Sequence, residues 1–384
     1  MQDVKRIFLQ IETSRAYGRS MLRGIVEYSK KFGPWAFLHE EPFYHKNFNT
    51  VKQILAWKPD GIITRFPQKD IEQLRDHGIP IIVARHIEKD ISGVPNVKGD
   101  NDGMGKMAGE YLLGLGFHEF GFCGLENMFW SENRCKAFEK VINDAGHSLN
   151  IYRPTKKRKT QRDDQQSLVE WLKSLPNPIA IMACNDDRGK QLIEAAKIAG
   201  IRIPDGIAVI GVDDDEVVCD LCYPSLSSVK LNVSRAGYET AKLLDEMMTK
   251  KSLLPNEIIV RPIGIARRQS TDVYCVEDHE VVKSLVYIRQ NARYMIQVSD
   301  VADYVCLSKR ALQLRFKKAL GYSLYERIKK EKVNKMAELL TESTMSVLDI
   351  ALYLGFSSIN HISRFFKQER GCSPLEYRKR YSVR

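Results

Sequence analysis

The sequence predicts a two-lobed α/β domain with parallel sheets, followed by an all-α domain with two helix-turn-helix motifs. Short apolar runs alternate with helical stretches through the first 270 residues, whereas residues 281–384 have an almost purely helical pattern. The excess of positive charge is also confined to the second part. We therefore expect residues 1–270 to form a sensor domain, residues 271–280 a linker and residues 281–384 a DNA-binding domain.

The strand candidates of the first domain are short apolar runs typical of buried strands. "RIFLQI" (Arg6–Ile11) is the first, and it is followed by "WAFLHE", "GIIT", "PIIVA", "FGFCG", "IAIMAC", "IAVIGV" and "EIIVRP". Helices are predicted between them over Ala16–Phe32, Met104–Leu115, Arg134–Ala145, Gln166–Leu175, Arg188–Ala199 and Arg235–Lys250. This alternation implies right-handed βαβ units and parallel sheets. Two lobes of about 130 residues fit the length better than one large sheet.

The charge of the chain is unevenly distributed. Residues 281–384 hold 20 Lys and Arg against 9 Asp and Glu, while the rest of the chain holds 39 of each sign. A basic face confined to one segment favours a polyanionic partner. A merely solvated helix face is the alternative, but such a face more often mixes both signs.

No membrane segment, metal or cofactor is predicted. The opening "MQDVKRIFLQIETS" holds a five-residue apolar stretch, too short for a signal peptide, and no run of eighteen apolar residues occurs. We expect a cytoplasmic protein. Of the eight cysteines only Cys219 and Cys222 lie close together, and a lone C-x-x-C is a poor zinc site. Reduced structural thiols are therefore preferred over a metal or redox role.

"VSDVADYVCLSKRALQLRFKKALGYS" predicts a short helix over Asp300–Val305, a turn, and a second helix capped by Ser308. Apolar residues recur at four-residue steps along one face of the second helix: Leu312, Phe316 and Leu320. Its other face carries Lys309, Arg310, Gln313 and Lys317. This is the helix-turn-helix arrangement, in which the second helix enters the major groove.

"LDIALYLGFSSINHISRFFKQERGCSPLEYRKR" repeats that layout, and the helical "LYERIKKEKVNKMAELL" (Leu324–Leu340) joins the two units. Gly355 should end the first helix, Phe356 anchor the turn and Ser358 cap the second helix. The predicted core face comprises Val347, Ile350, Ala351, Leu354, Ile362, Phe365 and Phe366. The outer-face candidates are Asn360, His361, Ser363, Arg364 and Lys367.

These two units resemble the DNA-binding domain of AraC-family transcription regulators. The second unit matches that family at Gly355, Phe356, Arg364, Phe366, Lys367, Gly371, Pro374, Tyr377 and Arg378. It departs at Ile362, where Phe is more usual, and the linking helix has Lys332 and Met336 where Arg and Ala are usual. By position, the resemblance implies base-reading residues among Lys309, Arg310, Gln313, Leu314, Ile359, Asn360, Ser363 and Arg364.

The chemistry of these side chains suits double-stranded DNA. Arg310 can pair with guanine, and Gln313 or Asn360 with adenine. The lysines Lys317, Lys318 and Lys367 are better suited to phosphates, which position the domain without specifying sequence. Two alternatives stay open, since His361 could be an ordinary surface histidine and Arg364 a member of a structural ion pair.

An enzyme is not expected. "DGMGKMAG" (Asp102–Gly109) contains a G-x-G-x-x-A fragment and a Gly-Lys pair, but the glycine and hydroxyl residue that a P-loop needs are missing. A helix capped by Asp100 or Asp102, with small residues packed closely on a sheet, explains the segment more simply. No catalytic triad, metal cluster or carboxylate pair stands out. A sugar-converting enzyme with an accessory DNA-binding tail remains the alternative.

Polar residues follow several of the predicted strands. "ACNDD" and "GVDDDE" place carboxylates just past buried strands, at the sheet edge where open α/β folds bind ligands. Carboxylates, amides and guanidinium groups suit sugar hydroxyls, and an aromatic face suits the C–H side of the ring. The alternative for Asp186 and Asp213 is that they cap helices or turns.

The first domain resembles the type I periplasmic-binding-protein fold that LacI-family regulators use as a sensor. The resemblance rests on "NDD", "IAVIGVDDDE", "SLSSVKLN", "AGYETAKLL" and "RPIGIARRQST". It implies sugar contacts at Arg15, Tyr17, Arg85, Phe129, Trp130, Arg134, Asp186 and Asp213. An apolar Leu231 replaces a residue that is often polar in that family.

A sensor followed by an AraC-type domain resembles the regulators of bacterial pentose operons. That resemblance implies a transcription regulator that binds double-stranded DNA and is switched by a sugar effector, with D-xylose the first candidate. We expect an activator that works as a homodimer, with RNA polymerase as a further candidate partner. A regulator of the same architecture that answers to another small molecule, or that represses, is the alternative.

Overall fold

The structure is a computed structural model, and it describes residues 4–40, 51–65, 68–84, 91, 93–153, 161–250 and 257–382. The strands are β1 Lys5–Leu9, β2 Trp35–His39, β3 Gly61–Thr64, β4 Ile81–Val83, β5 Val97–Gly99, β6 Phe120–Cys123, β7 Leu149–Ile151, β8 Ile179–Ala183, β9 Ile207–Val212, β10 Ser227–Leu231, β11 Ile258–Val260 and β12 Pro262–Ala266. The helices of the sensor domain are α1 Ala16–Phe32, α2 Val51–Trp57, α3 Gln68–Arg75, α4 Asn101–Leu113, α5 Phe129–Asp144, α6 Gln161–Ser174, α7 Asp186–Ala199, α8 Glu216–Asp220 and α9 Val233–Lys250, with a 3-10 turn at Gln269–Thr271.

The strands form two main sheets, one in each lobe. Lobe 1 holds a parallel sheet in the order β2-β1-β3-β4, and lobe 2 holds a six-stranded sheet in the order β12-β10-β9-β8-β6-β7. The short parallel pair β11-β5 packs on the core of lobe 1. The two-lobed α/β fold with parallel sheets is confirmed, with β12 as an antiparallel edge strand of lobe 2.

The interior strands were the easiest elements to predict. The bounds of "GIIT" and "IAVIGV" agree with β3 and β9, both of which are buried throughout. Four short strands, β5, β7, β10 and β12, were not predicted. Each of these has three to five residues. Polar residues interrupt the apolar ones in β5, β7 and β10, and β12 contains Pro262 and Gly264, so none carries a clear strand pattern.

The Gly-Lys segment of α4 has a packing role. Asp100 caps the helix by accepting from the Gly103 amide at 2.9 Å, as predicted. A Cβ at Gly105 would lie 2.7 Å from the Arg134 carbonyl, because α4 packs closely on α5. The prediction that the small residues pack on a sheet is therefore wrong for Gly105, whose close neighbour is α5, whereas Ala108 of the same helix lies in the core of lobe 2 with residues of β6, β8 and β9.

The DNA-binding domain is all-α. Its helices are α10 His279–Gln290, α11 Val298–Tyr304, α12 Lys309–Leu320, α13 Leu324–Glu342, α14 Val347–Tyr353, α15 Ile359–Arg370 and α16 Pro374–Tyr381. The two predicted helix-turn-helix units are α11–α12 and α14–α15, joined by α13. Ser308 and Ser358 cap the second helix of each unit by accepting from the amides of Ala311 and His361. Gly355 has a φ of 78° and ends α14 as predicted, since glycine adopts this left-handed conformation at little cost.

The DNA-binding domain packs against lobe 2 of the sensor. Tyr274, in the predicted linker, contacts the core of lobe 2. It also contacts the hydrophobic core that α10, α11 and α12 form in the DNA-binding domain. The buried guanidinium of Arg327 on α13 lies over the Tyr274 ring and donates to the Gly114 carbonyl at 3.1 Å. Lys230 of β10 forms an ion pair with Glu342 at 2.6 Å. Polar contacts thus join α13 directly to lobe 2.

The cysteines are free thiols. Cys219 and Cys222 are both buried, and burial raises the pKa of each thiol, to about 11 for Cys222. A reactive thiol needs a lowered pKa, so this pair has the character of structural cysteines. Spanning a bilayer takes about 20 apolar residues, and none of the helices in the described ranges meets that requirement.

Candidate functional site

The start of α1 in lobe 1 reaches across to lobe 2. The Arg15 guanidinium donates to both carboxylate oxygens of Asp187, at 2.9 and 3.0 Å. The Ala16 amide donates to Asp215 at 2.7 Å, and Arg19 lies 3.6 Å from the same carboxylate. Arg15, a predicted ligand residue, therefore links the two lobes. It lies beside the interlobe cleft, which we define by Tyr17, Arg134 and Asp213.

Arg134 is the central cation of this cleft. It lies in the second turn of α5, and its side chain is only 8% exposed. Its Nε donates to Asn101 Oδ1 at 3.2 Å, its Nη1 donates to the Cys184 carbonyl, and its Nη2 lies 3.7 Å from Asp213 Oδ1. The guanidinium also lies 4.8 Å from the ring centroid of Trp130. An arginine fixed in this way presents its remaining N–H groups in a defined direction.

Asp213 follows the buried strand β9 in an unusual backbone conformation. Its φ is 109° and that of Asp214 is 51°, a region that residues other than glycine rarely adopt. The Asp213 amide donates to the Val229 carbonyl, and the Asp214 carboxylate pairs with Arg268 at 2.8 Å. Strained backbone conformations of this kind cluster at active sites and ligand-binding sites. Burial raises the pKa of Asp213 to about 6, the nearby Arg134 opposing the rise.

Two of the three aromatic candidates, Tyr17 and Trp130, lie beside this Arg134–Asp213 pair. Tyr17 is half-buried on α1, and its buried hydroxyl oxygen is close enough to Asp213 and Arg134 to feel both charges. Burial is the main cause that raises the pKa of Tyr17. Trp130 stacks on Arg134, whereas Phe129, the first residue of α5, is 46% exposed.

Two other predicted residues stand apart from this group. The Asp186 carboxylate is buried and accepts from Ser228 Oγ at 2.6 Å and from the Asp215 amide at 2.8 Å. Burial raises the pKa of Asp186 well above its ordinary value. Two of its four acceptor positions are thus used inside lobe 2. Arg85 lies outside the described residues.

Three residues that shape the cleft were not among the predicted site residues. Asp187 and Asp215 receive the contacts from α1, and Asn101 orients Arg134. Asp187 directly follows the candidate Asp186, Asn101 lies two residues past β5, and Asp215 lies three residues past β9. Asp215 was within the quoted "GVDDDE", but nothing in the sequence separates its role from that of Asp213.

The predicted DNA-contacting residues share one face of each recognition helix. On α12 the side chains of Lys309, Arg310, Gln313, Leu314 and Lys317 are all exposed, while on α15 Ile359, Asn360, Arg364 and Lys367 are exposed and Ser363 is half-buried. Leu312, Phe316, Ile362 and Phe366 form the opposite, buried face. No ion pair joins Arg310 or Arg364 to another described residue. Both guanidinium groups are therefore available to an external partner.

Comparison with known proteins agrees with this architecture. The periplasmic binding protein-like domain family matches residues 110–271, and the helix-turn-helix domain family matches residues 301–380. A solved structure described as the xylose-binding transcription activator xylR superposes with a TM-score of 0.62 at 28% identity, over 99% of both chains.

Two curated relatives match along nearly the whole length. The xylose operon regulatory protein of Escherichia coli (strain K12) is 30% identical over 382 residues, which is 97% of this chain and 96% of the relative. The protein of the same name from Haemophilus influenzae is 30% identical over 383 residues, covering 97% and 98%. Both relatives are named as regulatory proteins, in agreement with the regulator expected from the sequence. The chain therefore belongs to the family of xylose operon regulatory proteins and is a DNA-binding transcription regulator.

Proposed function

We propose that this regulator binds D-xylose in the interlobe cleft and activates transcription of pentose catabolism genes in the cytoplasm. The observation that carries the proposal is the convergence of Tyr17, Arg134 and Asp213 between the lobes of a chain that also holds two exposed basic recognition helices. The names of the full-length relatives support xylose as the effector.

The proposed sugar contacts follow from the chemistry of the cleft. Arg134 supplies donors and Asp213 supplies acceptors for neighbouring hydroxyls, while Trp130 offers an aromatic face to the C–H side of the sugar. Arg15, Tyr17 and Phe129 would line the same space, and Arg85 remains a candidate from the sequence. Asp186 would act mainly by fixing the Asp215 amide and Ser228, and only its free lone pairs could reach the sugar.

The proposed switch uses contacts that cross between the lobes. A sugar between α1 and the Asp213 loop would change the positions of Arg15 and Arg19 relative to Asp187 and Asp215. Because α13 is joined to lobe 2, a movement of that lobe would carry the DNA-binding domain with it. In a homodimer this would alter the spacing of the two DNA-binding domains, and an activator would then engage RNA polymerase.

The deciding experiment is calorimetric titration of the purified protein with a panel of pentoses and hexoses. Micromolar binding of D-xylose alone is the expected result, followed by a change in DNA affinity when xylose is present. Binding of a different sugar would move the proposal to that effector, and no binding by any sugar would contradict it.

The affinity for the sugar should depend on pH through Asp213. An ionised carboxylate accepts hydrogen bonds from sugar hydroxyls, and this capacity is lost as the pH falls through the pKa of about 6. We expect the affinity for xylose to fall about tenfold between pH 7 and pH 5. Titrations at several pH values test this, with Asp213→Asn as the control that should remove the pH dependence. Any slope left in the Asn variant would belong to another group such as Asp186, and a flat wild-type profile would contradict the prediction.

Binding to DNA should depend steeply on salt. Each phosphate that a Lys or Arg neutralises releases counterions, so the logarithm of the affinity falls linearly with the logarithm of the salt concentration. With the exposed basic residues of α12 and α15, we expect a slope of several units. Lys317→Ala should reduce the magnitude of the slope by about 1. Equal affinity at low and high salt would remove the argument for phosphate contacts.

A further inference from the structure

Lys332 is a buried lysine in the middle of α13. It is 5% exposed, and its ammonium donates to the main-chain carbonyls of Arg293 at 2.9 Å, Tyr294 at 2.8 Å and Leu354 at 2.7 Å. An ammonium group has three N–H donors, so all three are satisfied. Burial lowers the pKa of Lys332 to about 8, and the group therefore keeps its proton at neutral pH.

The three acceptors belong to two different parts of the domain. Arg293 and Tyr294 lie in the loop that leads from α10 into the first helix-turn-helix unit. Leu354 is the C-cap of α14, at the turn of the second unit. One side chain of the linking helix therefore joins the entry of the first unit to the turn of the second. Each carbonyl would lose its partner if Lys332 were replaced by an apolar residue.

The second helix-turn-helix unit contacts the lead-in of the first unit beside Lys332. A Cβ at Gly355 would lie 3.0 Å from Cγ of Met295, which belongs to the lead-in of the first unit. The Phe356 ring, which is buried in the turn of the second unit, lies 5.7 Å from the Lys332 ammonium. The turn next to Lys332 thus has little room to move.

The recognition helix of the second unit is in turn held to α13. Lys329 pairs with Glu369 at 2.7 Å, and Arg370 donates to Asn334 at 2.8 Å. Both contacts join the C-terminal half of α15 to the linking helix, while Leu354 and Phe356 fix the turn before its N-terminus. The position of α15 relative to the first unit therefore depends on the junction around Lys332.

We propose that Lys332 is a positioning residue that sets the separation and mutual orientation of the two recognition helices. It thereby fixes the spacing of the two DNA elements that one DNA-binding domain accepts. This inference rests on the proposed DNA contacts of α12 and α15. A shift of one base pair between the elements moves one of them by roughly 3.4 Å and rotates it by roughly 35°, so a rigid pair of helices must discriminate strongly between spacings.

The test begins with selection of binding sites from random DNA by the full-length protein. The selected bipartite site is then synthesised with zero, one or two base pairs added or removed between its elements, and the Kd of each probe is measured at fixed salt. We expect wild-type protein to lose about tenfold or more in affinity per base pair of change, by analogy with the cost of a mismatched contact. Lys332→Met should bind the best probe more weakly and differ less than about threefold between spacings.

Three variants make the result decisive. Lys335→Met is the matched control, because Lys335 lies on the same helix and, among the residues that the structure describes, forms its ion pair with Glu338 one turn away. It should keep the wild-type spacing profile. Lys332→Arg, which restores a charged donor, should recover most of the discrimination. If thermal unfolding shows that Lys332→Met does not fold, Lys332→Gln, which keeps two donors, replaces it under the same criteria.

The possible results separate a positioning role from a merely structural one. A Lys332 variant that is folded and weakens every probe by the same factor would overturn the inference, because the spacing profile would then not depend on Lys332. A wild-type protein without spacing preference would overturn it as well, while leaving DNA binding intact. Failure of the selection to enrich any site would be a different result, since it would contradict the proposed DNA recognition itself.

Discussion

Asp213→Ala is expected to abolish the response to sugar while leaving the affinity for DNA without sugar close to that of the wild type. Asp213 is the carboxylate nearest to the Arg134 guanidinium, at 3.7 Å, and only 26% of its side chain is exposed. Removing it takes away the acceptor for a sugar hydroxyl and leaves Arg134 without its carboxylate partner in the cleft. Hydrogen bonds to a charged group contribute about 1.5–3 kcal/mol, which corresponds to a loss of roughly 10- to 150-fold in sugar affinity.

The backbone of Asp213 calls for a second variant. At a φ of 109° any residue with a Cβ is strained and glycine is not, so Asp213→Gly removes the carboxylate and also relieves the strain, whereas Asp213→Ala keeps it. Both variants should lose sugar binding in calorimetry, and the Gly variant should be the more stable of the two in thermal unfolding. Asp144→Ala, at the exposed end of α5, is the control for loss of one carboxylate. Normal sugar affinity in the Gly variant would mean that Asp213 only shapes the turn.

The parts of the fold that follow from local pattern were predicted well. β9 is a run of six buried residues between polar segments, and such a run has few interpretations other than an interior strand. β10 shows the limit, because its Ser227 and Ser228 are buried polar residues. Their hydroxyls bond to Thr271 and Asp186, which lie more than forty positions away. A buried serine whose hydrogen-bond partners are so distant in sequence gives no strand pattern in the local sequence.

The residues of the candidate site differ in the same way: some could be identified from the local sequence, and others depend on contacts with residues far away in the chain. Asp213 was identified because it follows a predicted strand, where ligands of parallel sheets bind, and Arg134 was identified through the resemblance to LacI-family sensors. The pairing of Arg15 with Asp187 spans 172 positions and depends on how the lobes approach each other. Lys332 shows this limit as well. The sequence marks it only as a departure from the usual Arg, while its three carbonyl partners become visible in the folded domain.

The double variant Arg310→Ala with Arg364→Ala is expected to lose most of its specific affinity for DNA. The two arginines lie on different recognition helices, and neither forms an ion pair with another residue in the described part of the chain. A good bidentate contact between arginine and guanine contributes about 1–3 kcal/mol of discrimination. Two such contacts on separate helices should be nearly additive, so the Kd for the selected site should rise by roughly 30-fold to 10⁴-fold.

The control for this experiment removes the same charge from a different place. Lys318 and Lys379 are exposed basic residues of the same domain that lie outside the predicted base-reading set. Lys318→Ala with Lys379→Ala should weaken specific and non-specific DNA by similar factors, because phosphate contacts carry no sequence information. The arginine variant should instead lose far more affinity for the selected site than for random DNA. Equal losses on both kinds of DNA would show that Arg310 and Arg364 also contact phosphates, and base recognition would then have to come from other residues such as Gln313 and Asn360.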